Sequence, residues 1–441
     1  MQYSLLCNFV QMNLEMTIRG FYSFLTFWVL VLFNVSAHNT FMEFIETAVH
    51  VKYSGYNPDI DLTTPNIIRR AGYHAEAHTV ETDDGYLLTV HRIPGKPGST
   101  PVLLQHGLLG SSADWILPGK GKAFAYLLAN QGYDVWLGNA RGNTYSRSHA
   151  SLSTSDSKFW DFSWHEMGIH DLPAVISYIL ELKNQENGLI YVGHSMGTTM
   201  FYVMASEHPE IARKVSAMFS LAPVGFMNHV KSPIRIVAPF SHDIEIIAHF
   251  FGANEFLPQN MILRFLAKYG CDIDTSEEKI CANSIFVLCG FDQAQFNNTL
   301  MPIILNHTPA GTSTKSLVHY AQEITSGKFR QYDYGTEKNK ELYNSTNPPE
   351  YILSNIDVPI AFYYADNDWL ASSVDVDRLY KELPKKLGKY KVDFPKFNHL
   401  DFLWGIDAPK LVYERLLSSM KKYNKKKEGM GFPKIFMSRE E

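Results

Sequence analysis

The chain has 441 residues, of which 45% are hydrophobic, and a formal net charge of −5. This length is enough for one large domain with insertions or for two domains, and the apolar residues are ample for a full core. The small net charge and the lack of a basic domain exclude a typical nucleic-acid-binding protein.

The first 37 residues have the pattern of a secretory signal. Arg19 precedes the apolar run 21–33, and Ala37 ends a small-x-small exit, so we expect cleavage after Ala37. The apolar run is too short for a comfortable membrane span, and an uncleaved anchor is the alternative. Met12 and Met16 are alternative starts.

Strand and helix patterns alternate from residue 80 to residue 222. Residues 80–90 predict two strands joined by an Asp-Gly turn, and therefore an antiparallel start. The short apolar run at 101–110 predicts a buried parallel strand that ends in a loop. Further patterns predict a helix at 123–130, a strand at 133–138, a helix at 171–183, a strand at 189–192 and a strand at 215–222. This alternation predicts a parallel α/β sheet with right-handed crossovers.

The strand at 189–192 ends in Gly-His-Ser-Met-Gly, and a helical segment, 198–207, follows it. Strand, serine and helix in this order are what a nucleophile elbow requires, because only glycine fits so tight a turn on either side of the exposed serine. Ser195 is therefore the candidate nucleophile. The alternative is a glycine-rich loop with an inert serine.

The alternation stops near Pro223 and resumes with strands at 358–364 and 390–394. Apolar residues between these points recur at helical spacing, which predicts an inserted helical region. The predicted organisation is a signal peptide (1–37), a first part of the core (38–222), a helical cap and lid (223–347), a second part of the core (348–420) and a basic, disordered tail (421–441).

Each resumed strand leads into a loop with a candidate partner for Ser195. A serine nucleophile needs a base, the base needs an acid that orients it, and in this architecture the acid precedes the histidine. The first loop carries Asp366 and Asp368, and the second carries His399. Asp401 is more simply a local partner or cap.

Acyl transfer also needs donors where the carbonyl oxygen becomes charged. We expect two main-chain N–H groups to serve, those of Leu108 and Met196, so that neither side chain needs to be polar.

The segment 164–170 superficially matches a zinc motif, but its histidines are five residues apart, which on a helix turns them about 140° from each other. The sequence therefore predicts neither a metal nor another cofactor.

The cysteines and the glycosylation sequons are consistent with an exported protein. After removal of the signal, three cysteines remain, Cys271, Cys281 and Cys289. In an oxidising compartment one pair should form a disulfide and one thiol should stay free, and the spacing leaves all three pairings open. Asn-x-Ser/Thr sequons predict glycans at Asn297, Asn306 and Asn344, of which Asn306 is the weakest because a proline follows its threonine.

Taken together, the chain resembles the acid lipase family of animals, which includes the gastric, lingual and lysosomal acid lipases and their insect relatives. The similarity runs from about residue 57 to residue 420. It is carried by Glu-Thr-Asp-Asp-Gly-Tyr at 81–86, Gln-His-Gly-Leu-Leu at 105–109, Gly-Tyr-Asp-Val-Trp-Leu-Gly-Asn-Ala-Arg-Gly-Asn-Thr at 132–144, Gly-Phe-Asp at 290–292, Pro-Ala-Gly-Thr-Ser at 309–313 and Asn-His-Leu-Asp-Phe at 398–402.

The resemblance implies an α/β-hydrolase core with a cap, and a lid near residues 259–289. It implies Ser195 as nucleophile, Asp368 as acid and His399 as base, and it matches Leu108 and Met196 to the oxyanion positions. It pairs Cys271 with Cys281 and leaves Cys289 free. Two departures are Met196, where better-known members carry glutamine, and residues 364–367, which replace a glycine-rich version and place Asp366 beside the acid.

The expected activity is hydrolysis of neutral-lipid esters through an acyl-enzyme, with triacylglycerol as the leading substrate. Steryl esters or other carboxylic esters are the alternative, and a non-catalytic lipid-binding or storage protein is the alternative from another class. The expected partner is a lipid–water interface, with no nucleic acid and no membrane span after signal cleavage. The expected protein is a monomer that is secreted or delivered to the lysosomal lumen.

Overall fold

The computed structural model describes residues 57–240, 254–256 and 288–423. Its strands are β1 (Glu76–Glu81), β2 (Tyr86–Ile93), β3 (Pro101–Gln105), β4 (Asp134–Leu137), β5 (Ser148–His149), β6 (Leu189–His194), β7 (Val215–Leu221), β8 (Glu255–Phe256), β9 (Thr312–Ser313), β10 (Ile360–Tyr364) and β11 (Lys386–Lys391). Its α-helices are α1 (Thr64–Arg70), α2 (Phe124–Asn130), α3 (Trp164–Glu166), α4 (Leu172–Leu182), α5 (Met196–Glu207), α6 (Pro209–Ala212), α7 (Ile234–Val237), α8 (Met301–His307), α9 (Thr314–Ser326), α10 (Thr336–Tyr343), α11 (Ser373–Glu382), α12 (Asp401–Trp404) and α13 (Glu414–Met420).

A nine-stranded sheet forms the centre of the described part of the chain, in the order β1-β2-β4-β3-β6-β7-β10-β11, with β5 paired to β2. The β1–β2 and β2–β4 pairs are antiparallel, and every pair from β4 to β11 is parallel. The predicted antiparallel start and the parallel sheet are confirmed. Every residue of β3 and β6 is buried, as expected of parallel strands covered on both faces.

The strand order reverses between β3 and β6. The chain leaves β3 toward β4 on one side, whereas the strands from β6 onward extend to the other side. In open α/β sheets the loops at such a point diverge and leave a crevice at the carboxyl ends of the strands. The loops after β3 and β6 carry the candidate oxyanion donors and the candidate nucleophile, so they lie at the expected crevice.

The last strand was predicted at 390–394 and lies instead at Lys386–Lys391. The prediction was wrong because β11 is an edge strand that pairs only with β10, and most of its residues are only partly buried. Its sequence, Lys-Leu-Gly-Lys-Tyr-Lys, lacks the continuous apolar run of an inner strand. The residues after it form the loop that leads to His399.

Within the described parts of residues 223–347, helices α7 to α10 dominate, and the two strands there, β8 and β9, pair only with each other. The assignment of this region as a cap domain stays a prediction. The signal peptide, most of the lid near 259–289, and the tail beyond Tyr423 lie outside the described residues. In the ranges that are described, no helix has both the length and the apolar character to cross a membrane.

Candidate active site

Ser195 lies on a sharp turn between β6 and α5, with φ 52° and ψ −118°. A Cβ on Gly193 would lie 2.7 Å from the carbonyl carbon of Gly197, and a Cβ on Gly197 would lie 2.9 Å from the main-chain oxygen of His106. Both positions therefore require glycine, as the nucleophile-elbow interpretation predicts. The N–H of Ser195 donates to Leu221 O at 3.0 Å, which ties the strained residue to the neighbouring strand β7.

His399 and Asp368 form a buried hydrogen-bonded pair. Nδ1 of His399 lies 3.0 Å from Oδ1 and 2.8 Å from Oδ2 of Asp368, and the exposed fractions of the two residues are 3% and 0%. Oδ1 of Asp368 also accepts the N–H groups of Leu370, at 2.9 Å, and Ala371, at 2.7 Å. With its proton on Nδ1, the ring presents Nε2 as the acceptor, which is the tautomer a general base needs.

The rival acid, Asp366, points elsewhere. Its Oδ2 lies 3.0 Å from Lys391 Nζ, and about half of each of these two side chains is exposed. The structure therefore brings Asp368, and not Asp366, to His399. Asp401 begins α12, directly after the loop that carries the base, and it caps this loop because its Oδ2 accepts the N–H of Asn398 at 2.7 Å.

His194 connects the base loop to the elbow. Its Nε2 lies 2.8 Å from the main-chain oxygen of His399, and the centroids of the two rings are 4.9 Å apart. Burial, followed by the nearby His399, holds the pKa of His194 well below its ordinary value, so the neutral ring donates from Nε2 to this carbonyl. Among the described residues no hydrogen bond joins Ser195 Oγ to His399, and catalytic hydrogen bonds are often long without substrate.

A tight turn from Gly107 to Gly110 follows β3 and lies against the nucleophile. Gly110 N donates to Gly107 O at 3.1 Å, and Leu109 has φ 61°, a left-handed conformation that costs a non-glycine residue on the order of 1 kcal/mol. The N–H of Ala310 donates to Leu109 O at 2.7 Å and so helps to hold the turn. A Cβ on Gly107 would lie 3.0 Å from the Cβ of Ser195.

His106 fixes the direction of this turn. Its Nε2 accepts the N–H of Ala140 at 3.0 Å and Nδ2 of Asn143 at 3.2 Å, so the proton is on Nδ1, which donates to Gly107 O at 2.7 Å. Burial lowers the pKa of His106 to about 4 and keeps the ring neutral. A trans peptide points its C=O and N–H in opposite directions, so holding Gly107 O turns the N–H of Leu108 away from His106.

The two predicted oxyanion donors are both unused in the described part of the chain. No hydrogen bond there takes the main-chain N–H of Leu108 or that of Met196. Leu108 is part of the turn after β3, and Met196 begins α5 directly after the nucleophile. Met196 is 1% exposed, and because the predicted donor is its main-chain N–H, methionine in place of the glutamine of better-known members leaves that donor intact.

A segment that sequence reasoning missed lies between the acid and base loops. Residues 289–292, here called the strap, begin at the last residue of the predicted lid. The main-chain oxygen of Cys289 accepts the N–H of Trp369, at 3.3 Å, and that of His399, at 3.5 Å. Gly290 has φ 114°, and a Cβ there would lie 3.3 Å from Cδ1 of Trp369. The sequence marked residues 290–292 as a family motif but gave no sign of their contacts.

The predicted disulfide and glycosylation sites differ in how buried they are. Cys289 is a buried free thiol, and burial raises its pKa, while Cys271 and Cys281 lie outside the described residues. Asn344 is exposed and Asn297 is half-buried. Asn306 is 6% exposed and its Nδ2 donates to Ile60 O, so the amide that a glycan would modify is buried and hydrogen-bonded.

The segment that superficially matched a zinc motif holds two histidines with separate partners. His165 Nδ1 lies 2.7 Å from the hydroxyl of Tyr351, and His170 Nδ1 lies 2.7 Å from Oδ1 of Asp83. Glu166 accepts the N–H of Ser163 in a capping box. Each of these side chains therefore has a structural contact of its own.

The sheet order and the elbow at its switch point define an α/β-hydrolase. A family model described as "alpha/beta hydrolase fold" matches residues 100–267, and one described as "Partial alpha/beta-hydrolase lipase region" matches residues 64–119.

The chain is also similar to named lipases over most of its length. It is 42% identical over 369 residues to Lipase lipl-5 of Caenorhabditis elegans, covering 81% of this chain and 91% of that protein. It is 42% identical over 366 residues to Lipase 1 of Drosophila melanogaster, with coverages of 82% and 81%. It is 37% identical over 380 residues to the lysosomal acid lipase/cholesteryl ester hydrolase of Homo sapiens, with coverages of 84% and 94%. The chain therefore belongs to the acid lipase family and is a carboxylic ester hydrolase.

Proposed function

We propose that this chain hydrolyses neutral-lipid esters, with triacylglycerol as the leading substrate, through an acyl-enzyme on Ser195. The observation that carries the proposal is the His399–Asp368 pair. The main-chain oxygen of His399 contacts His194, which immediately precedes Ser195. A buried imidazole in the tautomer of a base, at the elbow of a lipase-family fold, is the arrangement that activates a serine.

In the first half-reaction, Ser195 Oγ attacks the ester carbonyl carbon and its proton passes to His399 Nε2. The N–H groups of Leu108 and Met196 stabilise the charged oxygen. The intermediate then expels the alcohol, which takes the proton from His399. In the second half-reaction, His399 accepts a proton from water, the hydroxide attacks the acyl carbon, and Ser195 leaves with the proton as the carboxylic acid is released.

The direct test is the Ser195→Ala variant assayed on short-chain and long-chain acyl esters. We expect a loss of at least about 10³-fold in kcat, because the nucleophile is removed while the binding surfaces remain. Hydrolysis at the wild-type rate would contradict the proposal. A matched control is Ser151→Ala, since Ser151 is an exposed serine far from the elbow in sequence.

Steryl esters are the second candidate substrate, because one relative carries cholesteryl ester hydrolase in its name. Differences of a few methylenes in an apolar pocket change binding by only about 1–3 kcal/mol, so the preference must be measured. A panel of triacylglycerols and cholesteryl esters across acid and neutral pH separates the two. Higher kcat/KM on the steryl esters would replace triacylglycerol as the leading substrate.

The proposed setting is a lipid–water interface outside the cell or in the lysosomal lumen, with the protein as a monomer. The predicted signal, and relatives that include a lysosomal enzyme, support this setting. We expect the rate on tributyrin to rise above its solubility limit. A rate that stays level across that limit would remove the interface from the proposal.

A further inference from the structure

The base loop and the strap meet at two buried carboxyl groups, those of Asp292 and Asp401. Asp292 is 1% exposed and Asp401 is 3% exposed. The two carboxyl groups lie close enough for each to act on the pKa of the other. Neither residue has a role in the reaction steps above.

Asp292 is satisfied on one oxygen only. Its Oδ1 accepts the N–H groups of Ala294, at 2.9 Å, and Gln295, at 3.2 Å. Its Oδ2 is buried and meets no N–H or hydroxyl donor among the described residues. Since two carboxylates are both acceptors, a hydrogen bond between Asp292 and Asp401 requires one of them to carry a proton.

Asp401 is connected to the residue that precedes the base. Its Oδ2 accepts the N–H of Asn398 at 2.7 Å, and Nδ2 of Asn398 donates to Gly290 O at 3.0 Å. Asn398 immediately precedes His399 in the chain. The pair therefore joins the strap to the residue next to the base, and a change in its geometry is transmitted to His399.

The charged groups around the pair are mostly acidic. Lys396 is the cation that acts on Asp292, whereas Asp368 acts on Asp401 as a like charge, and the buried Cys289 thiol faces both Asp368 and Asp401. Burial first, and then these carboxyls, raise the pKa of Asp401 to about 8. Burial also raises the pKa of Asp292.

We propose that Asp292 and Asp401 share one proton, and that this carboxyl–carboxylate bond is a positioning contact that holds His399 in line with Asp368. The inference rests on the proposed function. When the proton is lost, two negative charges face each other in a buried site, the bond becomes a repulsion, and the loop that carries His399 moves. The contact is therefore intact at acid pH and lost as the pH rises.

The test compares Asp292→Asn with Asp292→Ala. In Asp292→Asn, the side-chain oxygen still accepts the two N–H groups, and the NH₂ group takes the place of Oδ2. The NH₂ group donates to Asp401, so this bond no longer needs a protonated carboxyl. Alanine removes the bond at every pH. The readout is the pH dependence of kcat and KM on a soluble p-nitrophenyl ester, which avoids lipid interfaces, with Asp366→Asn as a control outside this contact.

We expect wild-type kcat/KM to fall toward alkaline pH, and the fall to move up by at least about one pH unit in Asp292→Asn. We expect Asp292→Ala to lose about tenfold in kcat at acid pH with little change in KM, since the base is misplaced after substrate binds. An Asp292→Asn profile identical to that of the wild type would overturn the proposal. So would a wild-type kcat in Asp292→Ala.

Two further measurements keep the outcome decisive. The carbon-13 signals of the wild-type aspartate carboxyls, which need no variant, should include two that shift together in one step well above the ordinary range, where the shared proton is lost. Ordinary titration of both would also overturn the proposal. Labelling by a fluorophosphonate at acid pH separates the two hypotheses, because an unlabelled wild type means that the proposed function has failed, whereas normal labelling with unshifted pH profiles means that only this inference has failed.

Discussion

The two halves of the candidate site are held by different kinds of contact. The nucleophile half, which comprises Ser195 and the turn at 107–110, is fixed mainly by main-chain bonds and by glycines that leave no space for a side chain. The acid–base half, at residues 366–371 and 396–401, lies on loops after strands near one edge of the sheet. Side-chain hydrogen bonds and the strap hold these loops together.

This difference has a chemical consequence. Main-chain hydrogen bonds keep their strength across the ordinary pH range, whereas a contact between two carboxyls depends on a proton. His106 is the titratable side chain that contacts the turn at 107–110, and burial lowers its pKa to about 4, whereas the pKa of Asp401 in the acid–base half is raised to about 8. The contacts that hold the turn therefore persist at alkaline pH, and the contacts that hold the base loop persist at acid pH.

The largest expected effect is on the acid. Asp368→Asn should lower kcat by about 10³- to 10⁴-fold, because the amide no longer enforces the tautomer of His399 that accepts a proton. The matched control is Asp366→Asn, whose side chain pairs with Lys391 at the surface and should leave kcat near that of the wild type. Equal losses in the two variants would mean that the acid has been assigned to the wrong residue.

The next effect is on the stability of the fold, at the buried Arg141 that supports the nucleophile half. Arg141 is 1% exposed and bonds both Asp84 and Asp171, and the loop that carries it also supplies the donors to His106. Arg141→Met should destabilise the fold by about 3–5 kcal/mol, since it leaves a buried carboxylate without its partner. Urea unfolding measures this. Arg70→Met, which breaks an exposed pair with Asp59, should cost less than about 1 kcal/mol.

A smaller effect is expected from a change beside the turn at 107–110, which carries the proposed donor Leu108. His106→Phe removes the donor to Gly107 O and should lower kcat by about tenfold, because the N–H of Leu108 is no longer held toward the substrate. His106→Asn keeps a donor close to Nδ1 and should recover part of the loss. If the two variants were equally active, the ring would have only a packing role.

The smallest expected effect, for each unit of pH, is a pH dependence of wild-type stability. A carboxyl with a raised pKa binds more protons when folded than when unfolded. Its contribution is full below the unfolded pKa of about 3.9 and is lost as the pH rises through the folded value. For Asp401 that value is about 8, so stability should decline over this window, by on the order of 1 kcal/mol per pH unit at most. Thermal unfolding of wild type and Asp292→Asn measures this, and the decline should be weaker in the variant.

The sequence predicts best where local chemistry and chain order decide the outcome. Ser195 could be read from its flanking glycines, and the order of Asp368 and His399 from the strands that precede them. The role of the strap could not be predicted, because its contacts to Trp369 and His399 join segments that are far apart in the chain. Nor could the left-handed Leu109, since no glycine marks the position. Asp401 was interpreted as a cap, which describes its bond to Asn398 but not its contact with Asp292.

The most direct test of the central claim, that His399 and Asp368 activate Ser195, is labelling of the folded protein with a fluorophosphonate followed by peptide mass spectrometry. The account predicts one adduct per chain, on the peptide that contains Ser195, and a much slower reaction in His399→Ala. No adduct on the folded wild type, an adduct on another residue, or undiminished labelling in His399→Ala would contradict it.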